Sequence, residues 1–129
     1  MKILDSDHCI AILRGRLSVE AYIEPDDTLA ITTISIGELM HGAYKSAKPE
    51  ENVLRVNILI SSMQILSFDA MAARQFGQLK ARLESQGNKL ADLDLQIASM
   101  ALTQNATLVT HNQRHFARIP DLLLADWLV

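Results

Sequence analysis

The segment MKILDSDHCI, residues 1–10, begins with a short apolar run and then places two carboxylates, Asp5 and Asp7, directly after it. The run Lys2–Leu4 predicts a short buried strand, and a helix is predicted from about Asp7 to Arg14. A strand followed at once by a helix is typical of α/β domains. The segment therefore raises the question of why a first strand would deliver acids to its own carboxyl end.

Size, composition and cysteine content predict one globular domain, residues 1–129. Apolar residues make up 49% of the chain and charged residues 21%, so no segment is expected to be disordered. The net charge of −3 argues against a strongly basic nucleic-acid-binding surface, but not against a nuclease whose carboxylates are neutralised by metal. No apolar run spans a bilayer, no signal peptide is predicted, and Cys9 has no disulfide partner, so we expect a cytoplasmic protein without a membrane partner.

Strands and helices alternate along the rest of the chain. Further strands are predicted at Leu29–Thr33, Gln64–Phe68, Ala106–Thr110 and Leu122–Leu124. Helices are predicted at Ser18–Ile23, Ser35–Ala47, Glu50–Met63, from Asp69 through Glu84, from Asp92 or Asp94 to Gln104, and at Arg114–Ala117. This alternation predicts an α/β fold in three layers, with a central, mainly parallel sheet of four to five short strands and helices on both faces.

Polar side chains follow several of the predicted strands. Asp5 follows the first strand, Glu38 lies in the helix after the second, Asp94 opens a later helix, and Asn112 follows the fourth strand. Secondary candidates at the same positions are Ser6, Asp7, Asp92 and Thr110. Because the carboxyl ends of parallel strands meet at one edge, these groups are expected to converge there. Converging carboxylates repel one another, and an oxygen-rich cluster suits Mg²⁺ or Mn²⁺ as the compensating cation.

Each acid also has a local explanation. Glu38 is the fourth residue of SIGE, which is a capping box if Ser35 is the N-cap. Asp92 and Asp94 lie in a first helical turn, where the helix dipole stabilises acids. Asp7 could be the N-cap of the first helix. Asp5 is the exception, because no cap role is expected for it. Asn112 could be a simple turn residue. The residues alone thus indicate only that metal-dependent phosphoryl chemistry is possible.

Four segments together resemble the PIN-domain nucleases. ILDSDHCI resembles the family's opening strand and acid motif, and ISIGELMHGAYKS resembles its E-L-x-x-G-A motif. ADLDLQIASMALTQNATLVTHNQRHFARIPDL resembles the third and fourth motifs, and the terminal ADW resembles the usual ending. The resemblance covers nearly the whole chain in order, and it is greatest to VapC-type toxins of bacterial toxin–antitoxin modules.

The resemblance implies a Mg²⁺- or Mn²⁺-dependent ribonuclease that cleaves an RNA phosphodiester with metal-activated water. Asp5, Glu38, Asp94 and Asn112 match the metal-binding and catalytic positions, with an amide at the fourth. Asp7 stands where many members carry Asn, and Ser6 stands where Thr is more usual. The resemblance further implies a VapB-like antitoxin partner and a homodimer.

Three other features have competing interpretations. Cys9 is expected to be a packed small residue. His111 and His115 lie four residues apart, like a helical zinc pair, but lack the accompanying glutamate, so surface histidines are expected. One face of the helix near residue 50 is apolar and could pack the domain's own core, an antitoxin segment or a second copy of the chain; its residues are Val53, Val56, Ile60 and Met63.

Two other functions compete with the nuclease. The D-x-D of Asp5 and Asp7 after a first strand also suggests a phosphatase of the haloacid dehalogenase type, but that class needs a late catalytic lysine. No lysine follows Lys89. A non-catalytic RNA-binding protein with the same fold is the second alternative, because fold alone does not define function.

Overall fold

The computed structural model describes all 129 residues and contains one five-stranded sheet. Its strands are β1 (Lys2–Leu4), β2 (Leu29–Thr32), β3 (Gln64–Leu66), β4 (Thr107–Val109) and β5 (Leu123–Ala125). They lie in the order β3-β2-β1-β4-β5, and every neighbouring pair is parallel. The predicted α/β fold with a central parallel sheet is confirmed, and the sheet has no antiparallel strand.

Six helices cover the sheet. They are α1 (Ser6–Leu13), α2 (Thr33–Lys45), α3 (Pro49–Ser61), α4 (Ala70–Ser85), α5 (Asp92–Thr103) and the short α6 (Gln113–Phe116). The predicted helix at Ser18–Ile23 is only a 3₁₀ turn at Val19–Ala21. As predicted, Asp69 caps α4, with its carboxylate accepting from the backbone N–H of Ala72 at 2.9 Å.

Two hydrophobic cores lie on opposite faces of the sheet because successive strand residues point to opposite sides. Ile3 of β1 packs with α4 and α5, whereas Leu4 packs with α1, α2 and α3. Leu108 and Val109 of β4 divide in the same way. This alternation produces three layers, as predicted.

The order of the strands creates a topological switch point between β1 and β4. From β1 the chain steps outward through β2 to β3, and then crosses back to add β4 and β5 on the other side of β1. In parallel α/β sheets, ligands bind in the crevice outside the carboxyl ends of the strands where the order reverses. Here that crevice lies between the ends of β1 and β4, which deliver Asp5 and Thr110.

The apolar face of α3 packs into the domain's own core. Val56 and Ile60 are buried beside α1 and α2, and Val53 and Met63 pack partly against the same cluster. Of the three interpretations for this face, the structure shows the first. No helix in the structure is both long and apolar enough to cross a membrane.

Candidate active site at the ends of β1 and β4

Asp5 lies at the end of β1 and links the two central strands. Its Oδ1 accepts from the backbone N–H of Ser6 at 2.9 Å, and its Oδ2 accepts from the Thr110 hydroxyl at 2.8 Å. Asp5 is therefore the N-cap of α1, and the expectation that it has no cap role was wrong. Asp7, the expected alternative cap, is instead the second residue of the helix.

Thr110 organises the loop after β4. Its side chain is fully buried, and its hydroxyl oxygen accepts from the backbone N–H of Asn112 at 3.1 Å while its proton goes to Asp5. The Asn112 amide nitrogen lies 2.9 Å from Nδ1 of His115, and no protein group donates to the Asn112 Oδ1. The two predicted β4 residues therefore lie at the same edge as Asp5, with one amide oxygen free.

Glu38 reaches this edge from α2 and has no capping role. The N-cap of α2 is Thr32, whose hydroxyl accepts from the backbone N–H of Ser35 at 3.1 Å. The predicted capping box of Ser35 and Glu38 is wrong because the helix begins three residues earlier. With its local explanation removed, Glu38 is an exposed acid that forms no hydrogen bond or ion pair with the protein.

The two acids at the start of α5 have different surroundings. Asp94 is partly buried and lies 3.8 Å from Nδ1 of His115. Asp92 forms an exposed ion pair with Lys80 of α4 at 2.8 Å. Asp92 therefore has a structural partner away from Asp5, which its sequence position did not indicate.

Four of the acids, Asp5, Asp7, Glu38 and Asp94, lie close enough for their charges to affect one another's ionisation. Burial raises the pKa of Asp5 above its ordinary value, the Thr110 hydrogen bond opposes this shift, and the charges of Asp7 and Asp94 add to it. Although the Glu38 side chain is largely exposed, partial desolvation raises its pKa, and the charges of Asp5, Asp94 and Asp7 raise it further. No three His, Cys, Asp or Glu side chains already converge in a metal-coordinating geometry. Carboxylates that repel one another nevertheless offer the oxygen ligands that a hard divalent cation prefers.

The raised pKa of Glu38 predicts that Glu38→Gln stabilises the protein when metal is absent. Because the pKa of Glu38 is raised in the folded state, its ionised form is disfavoured there, and folding is relatively weakened at neutral pH. The variant is expected to melt at a higher temperature than the wild type in EDTA at pH 7. The gain should disappear as the pH falls below the ordinary value of 4.5, where Glu38 is protonated in both folded and unfolded states. A lower melting temperature across this range would contradict the interpretation.

A second hydrogen-bond network, which the sequence did not reveal, lies next to the site and connects α1, the loop after β4 and the end of the chain. Asp7 accepts from Nδ1 of His8 at 2.7 Å and from the backbone N–H of His111 at 2.9 Å. Nε2 of the fully buried His8 accepts from the backbone N–H of Trp127 at 3.0 Å, and Asp126 contacts the His111 ring at 2.8 Å. Burial tends to raise the pKa of Asp7, but the hydrogen bonds from His8 and His111 outweigh it and lower that pKa.

This network assigns Asp7 a structural role and explains the terminal ADW segment. Asp7 ties α1 to the loop after β4, and Asp126 ties the same loop to the end of the chain. The only signal of these contacts in the sequence was the family-like ADW ending, which did not indicate which residues Asp126 would contact.

Cys9 and the histidine pair complete the comparison with prediction. Cys9 is fully buried, and burial, followed by the nearby charges of Asp5 and Asp7, raises the pKa of its thiol to about 12. It is therefore a packed residue, as expected, and no nucleophile. His111 and His115 are exposed and have separate neighbours, so they do not form a zinc pair. His111 contacts Asp126 at 2.8 Å, whereas Nδ1 of His115 lies 2.9 Å from the Asn112 amide and 3.8 Å from Asp94.

The fold and the acidic edge together define a class of protein. A model of the PIN domain family matches residues 2–122, almost the whole chain. Its match spans the candidate acids and Asn112. The molecule is therefore a PIN-domain protein.

More similar relatives define the group within that class. The chain is 41% identical over 102 residues to ribonuclease VapC2 of Rickettsia felis, covering 79% of this chain and 76% of that protein. It is 33% identical to the tRNA(fMet)-specific endonuclease VapC of Salmonella typhimurium, covering 96% of each. The solved structure of VapBC2 from Rickettsia felis bound to a promoter DNA fragment matches with a TM-score of 0.89, 34% identity and 98% coverage of both chains. The chain belongs to the VapC ribonucleases of the PIN-domain family.

Proposed function

We propose that this protein is a Mg²⁺- or Mn²⁺-dependent endoribonuclease that cuts an RNA phosphodiester with water and acts as the toxin of a toxin–antitoxin pair. The observation that carries the proposal is the shared field of Asp5, Glu38 and Asp94 at the switch point of the sheet, in which the pKa values of Asp5 and Glu38 are raised. An uncompensated cluster of this kind is costly to keep, and such sites are candidates for function.

The residues that would hold the cation are Asp5, Glu38 and Asp94, with the free Oδ1 of Asn112 as a neutral donor. Asp5 is held in place by Thr110 and Ser6, whereas Glu38 forms no hydrogen bond or ion pair with the protein. When bound, the ion supplies a water of lowered pKa and neutralises charge on the phosphate. Divalent binding would also relieve the repulsion between the acids.

Asp94 is better placed than Asp7 to accept a proton from the attacking water. The Asp7 carboxylate already accepts from His8 and His111, and its pKa is lowered, so it is a poor base. Asp94 forms no hydrogen bond, and its one close polar contact is with His115 at 3.8 Å. Of these two acids, Asp94 is therefore the proposed base.

The proposed partners follow from the relatives. Solved structures of VapBC assemblies from Rickettsia felis and Salmonella typhimurium each match this chain with a TM-score of 0.89, at 34% and 33% identity. We therefore assign this chain a VapB-like antitoxin, together with the homodimer that the resemblance implies. The relative named a tRNA(fMet)-specific endonuclease makes initiator tRNA the first RNA to test.

The test is cleavage of a tRNA(fMet) transcript by the purified protein in Mg²⁺, in Mn²⁺ and in EDTA. We expect cleavage with either metal, none in EDTA, and fragments with a 5′-phosphate and a 3′-hydroxyl. Total cellular RNA is the second substrate, with the fragment ends sequenced. Hydrolysis of p-nitrophenyl phosphate without RNA cleavage would favour the phosphatase, and binding of RNA without cleavage would favour the non-catalytic alternative.

Two neighbouring acids on α5 provide a matched comparison. Asp94→Asn is expected to lower the cleavage rate roughly 100-fold, because it removes a metal ligand and the proposed base. Asp92→Asn should leave the rate within about twofold, since an exposed ion pair such as that with Lys80 contributes about 1 kcal/mol or less. Rates are measured under identical metal and RNA concentrations. Equal losses in the two variants would contradict the assignment of Asp94 to the site.

A further inference from the structure

A cleft lies between α1 and the end of the chain, beside the acidic edge. Its volume is about 410 Å³, which is within the range of sites that hold a small ligand. Asp7 lies at one end, and Arg14 and Arg16 line it as well. Its apolar wall is formed by Ile10, Ala11, Trp127 and Leu128.

The backbone at the two arginines is fixed by the way α1 ends. Gly15 between them has a φ of +69°, and the backbone N–H groups of Gly15 and Arg16 donate to the carbonyls of Ile12 and Ala11. These two hydrogen bonds form a Schellman motif, which requires a residue in the left-handed conformation that glycine readily adopts. Arg14 and Arg16 therefore leave the helix at defined positions on one side of the cleft.

Both guanidinium groups are free to bind an anion. No ion pair in the structure involves an arginine, although the chain carries a net charge of −3. The one side-chain carboxylate of the cleft, Asp7, already accepts hydrogen bonds from His8 and His111. The terminal Val129 is exposed at the rim and forms no ion pair with either arginine.

Trp127, in the apolar wall of the cleft, is held in place by two aromatic contacts. The Trp127 ring stacks on Tyr22 with centroids 5.4 Å apart and an interplanar angle of 12°. Its other contact is edge-to-face with His8, at 6.2 Å and 74°. A wall that needs no reorganisation lowers the cost of binding.

The cleft on the opposite side of α1 is less suited to an anion. It holds about 270 Å³ and is lined by Glu38, Arg14 and Arg55. The Arg55 guanidinium donates to the carbonyl of Leu13, so it already caps the carboxyl end of α1. Only the Arg14–Arg16 cleft combines two free guanidinium groups with an apolar wall.

We propose that the Arg14–Arg16 cleft binds a nucleotide of the RNA substrate a few positions from the cleaved bond, with the arginines on its phosphate and the apolar wall against its base. The proposal rests on the proposed ribonuclease function. Asp5 and Arg14 lie at opposite ends of α1, about 13 Å apart along the helix axis. At roughly 3.4 Å of rise per nucleotide in a stacked strand, that distance corresponds to about four nucleotides.

The test measures RNA binding separately from cleavage. A fluorescein-labelled, short single-stranded RNA of mixed sequence is titrated, in Mg²⁺ buffer over a range of KCl concentrations, with Asp5→Asn protein and with the same protein carrying Arg14→Ala and Arg16→Ala. We expect the arginine variant to bind about tenfold more weakly, and the slope of log Kd against log salt to fall by about 0.7, the value for one lost phosphate contact on a single strand.

Two control variants separate charge at this cleft from charge in general. Replacing the exposed Arg74 and Arg82 of α4 by alanine removes the same charge elsewhere and should leave Kd and slope unchanged. Replacing Arg14 and Arg16 by lysine should retain most of the salt slope. Equal weakening by the α4 pair, an unchanged slope in the Arg14/Arg16 variant, or no RNA binding by the parent protein would each overturn the proposal.

A cleavage arm distinguishes failure of this inference from failure of the proposed function. With tRNA(fMet) transcript and otherwise wild-type protein, the Arg14/Arg16 variant should show a KM raised about tenfold and a kcat within about twofold, the signature of lost binding shared by ground and transition states. If the wild type cleaves RNA and the variant has an unchanged KM, the cleft proposal fails alone. If the wild type cleaves no RNA while the salt slopes still differ, the cleft binds RNA and the ribonuclease proposal fails.

Discussion

Asp5→Asn is expected to reduce RNA cleavage by roughly 10³-fold, which corresponds to about 4 kcal/mol of lost transition-state stabilisation. Asp5 is the most buried of the candidate acids, with 9% of its surface exposed, and it connects β1 to β4 through Thr110. The amide is nearly isosteric. Its oxygen can still accept from the Ser6 N–H, and its NH2 group can donate to the Thr110 hydroxyl oxygen, which reverses that hydrogen bond, so the backbone should not move. What is lost is the negative charge that a divalent cation would need.

The same substitution should leave the fold intact or more stable. The raised pKa of Asp5 means that its ionised form is disfavoured in the folded state, and this penalty operates at neutral pH. In EDTA at pH 7 the variant should therefore melt at or above the wild-type temperature, with the difference vanishing below the ordinary pKa of 3.8. Added Mg²⁺ should raise the melting temperature of the wild type more than that of the variant.

These two readouts together decide the role of Asp5. A variant that cleaves RNA at the wild-type rate would remove Asp5 from the chemistry. A variant that loses both activity and several degrees of stability would indicate that Asp5 acts only through the structure. A single-turnover cleavage assay and a thermal melt on the same preparation make the comparison.

His8→Ala is expected to have the largest effect on stability, about 3 kcal/mol, or a fall in melting temperature of about 10 °C. His8 is fully buried, and both ring nitrogens are hydrogen bonded, one to Asp7 and the other to the backbone N–H of Trp127. Alanine leaves a cavity, an unsatisfied buried N–H group and a carboxylate without its side-chain donor. Because Asp7 also holds the His111 backbone, cleavage should fall as well.

His41→Ala is the control for this prediction. His41 lies exposed on α2 and forms no hydrogen bond or ion pair, so its loss should change the free energy of unfolding by about 0.5 kcal/mol or less. Urea unfolding of both variants measures the difference directly, even where thermal unfolding is irreversible. Equal stability of the His8 and His41 variants would show that the network behind the site contributes nothing measurable.

The sequence predicted the strands and most helices because their signals are local. A β-branched or apolar run of three to five residues is readable without its neighbours, and so is the cap at Asp69. Caps were less reliable where two candidates lay close together. Thr32 caps α2 where Ser35 was predicted, and Asp5 caps α1 where Asp7 was the candidate, because competing cap residues differ by only about 1 kcal/mol or less.

The residue types and their positions after strands determined which acids to consider, since a parallel sheet necessarily brings strand ends to one edge. Only the tertiary structure decided which of these acids lie close enough to affect one another's ionisation. It placed β1 beside β4, so that Thr110 binds Asp5 across 105 positions of the chain, and it paired Asp92 with Lys80 away from that edge. It also brought the Asp7 carboxylate to the backbone N–H of His111 and the Asp126 carboxylate to the His111 ring. Contacts between residues so far apart in sequence depend on strand order and helix packing, which no local pattern of residues encodes.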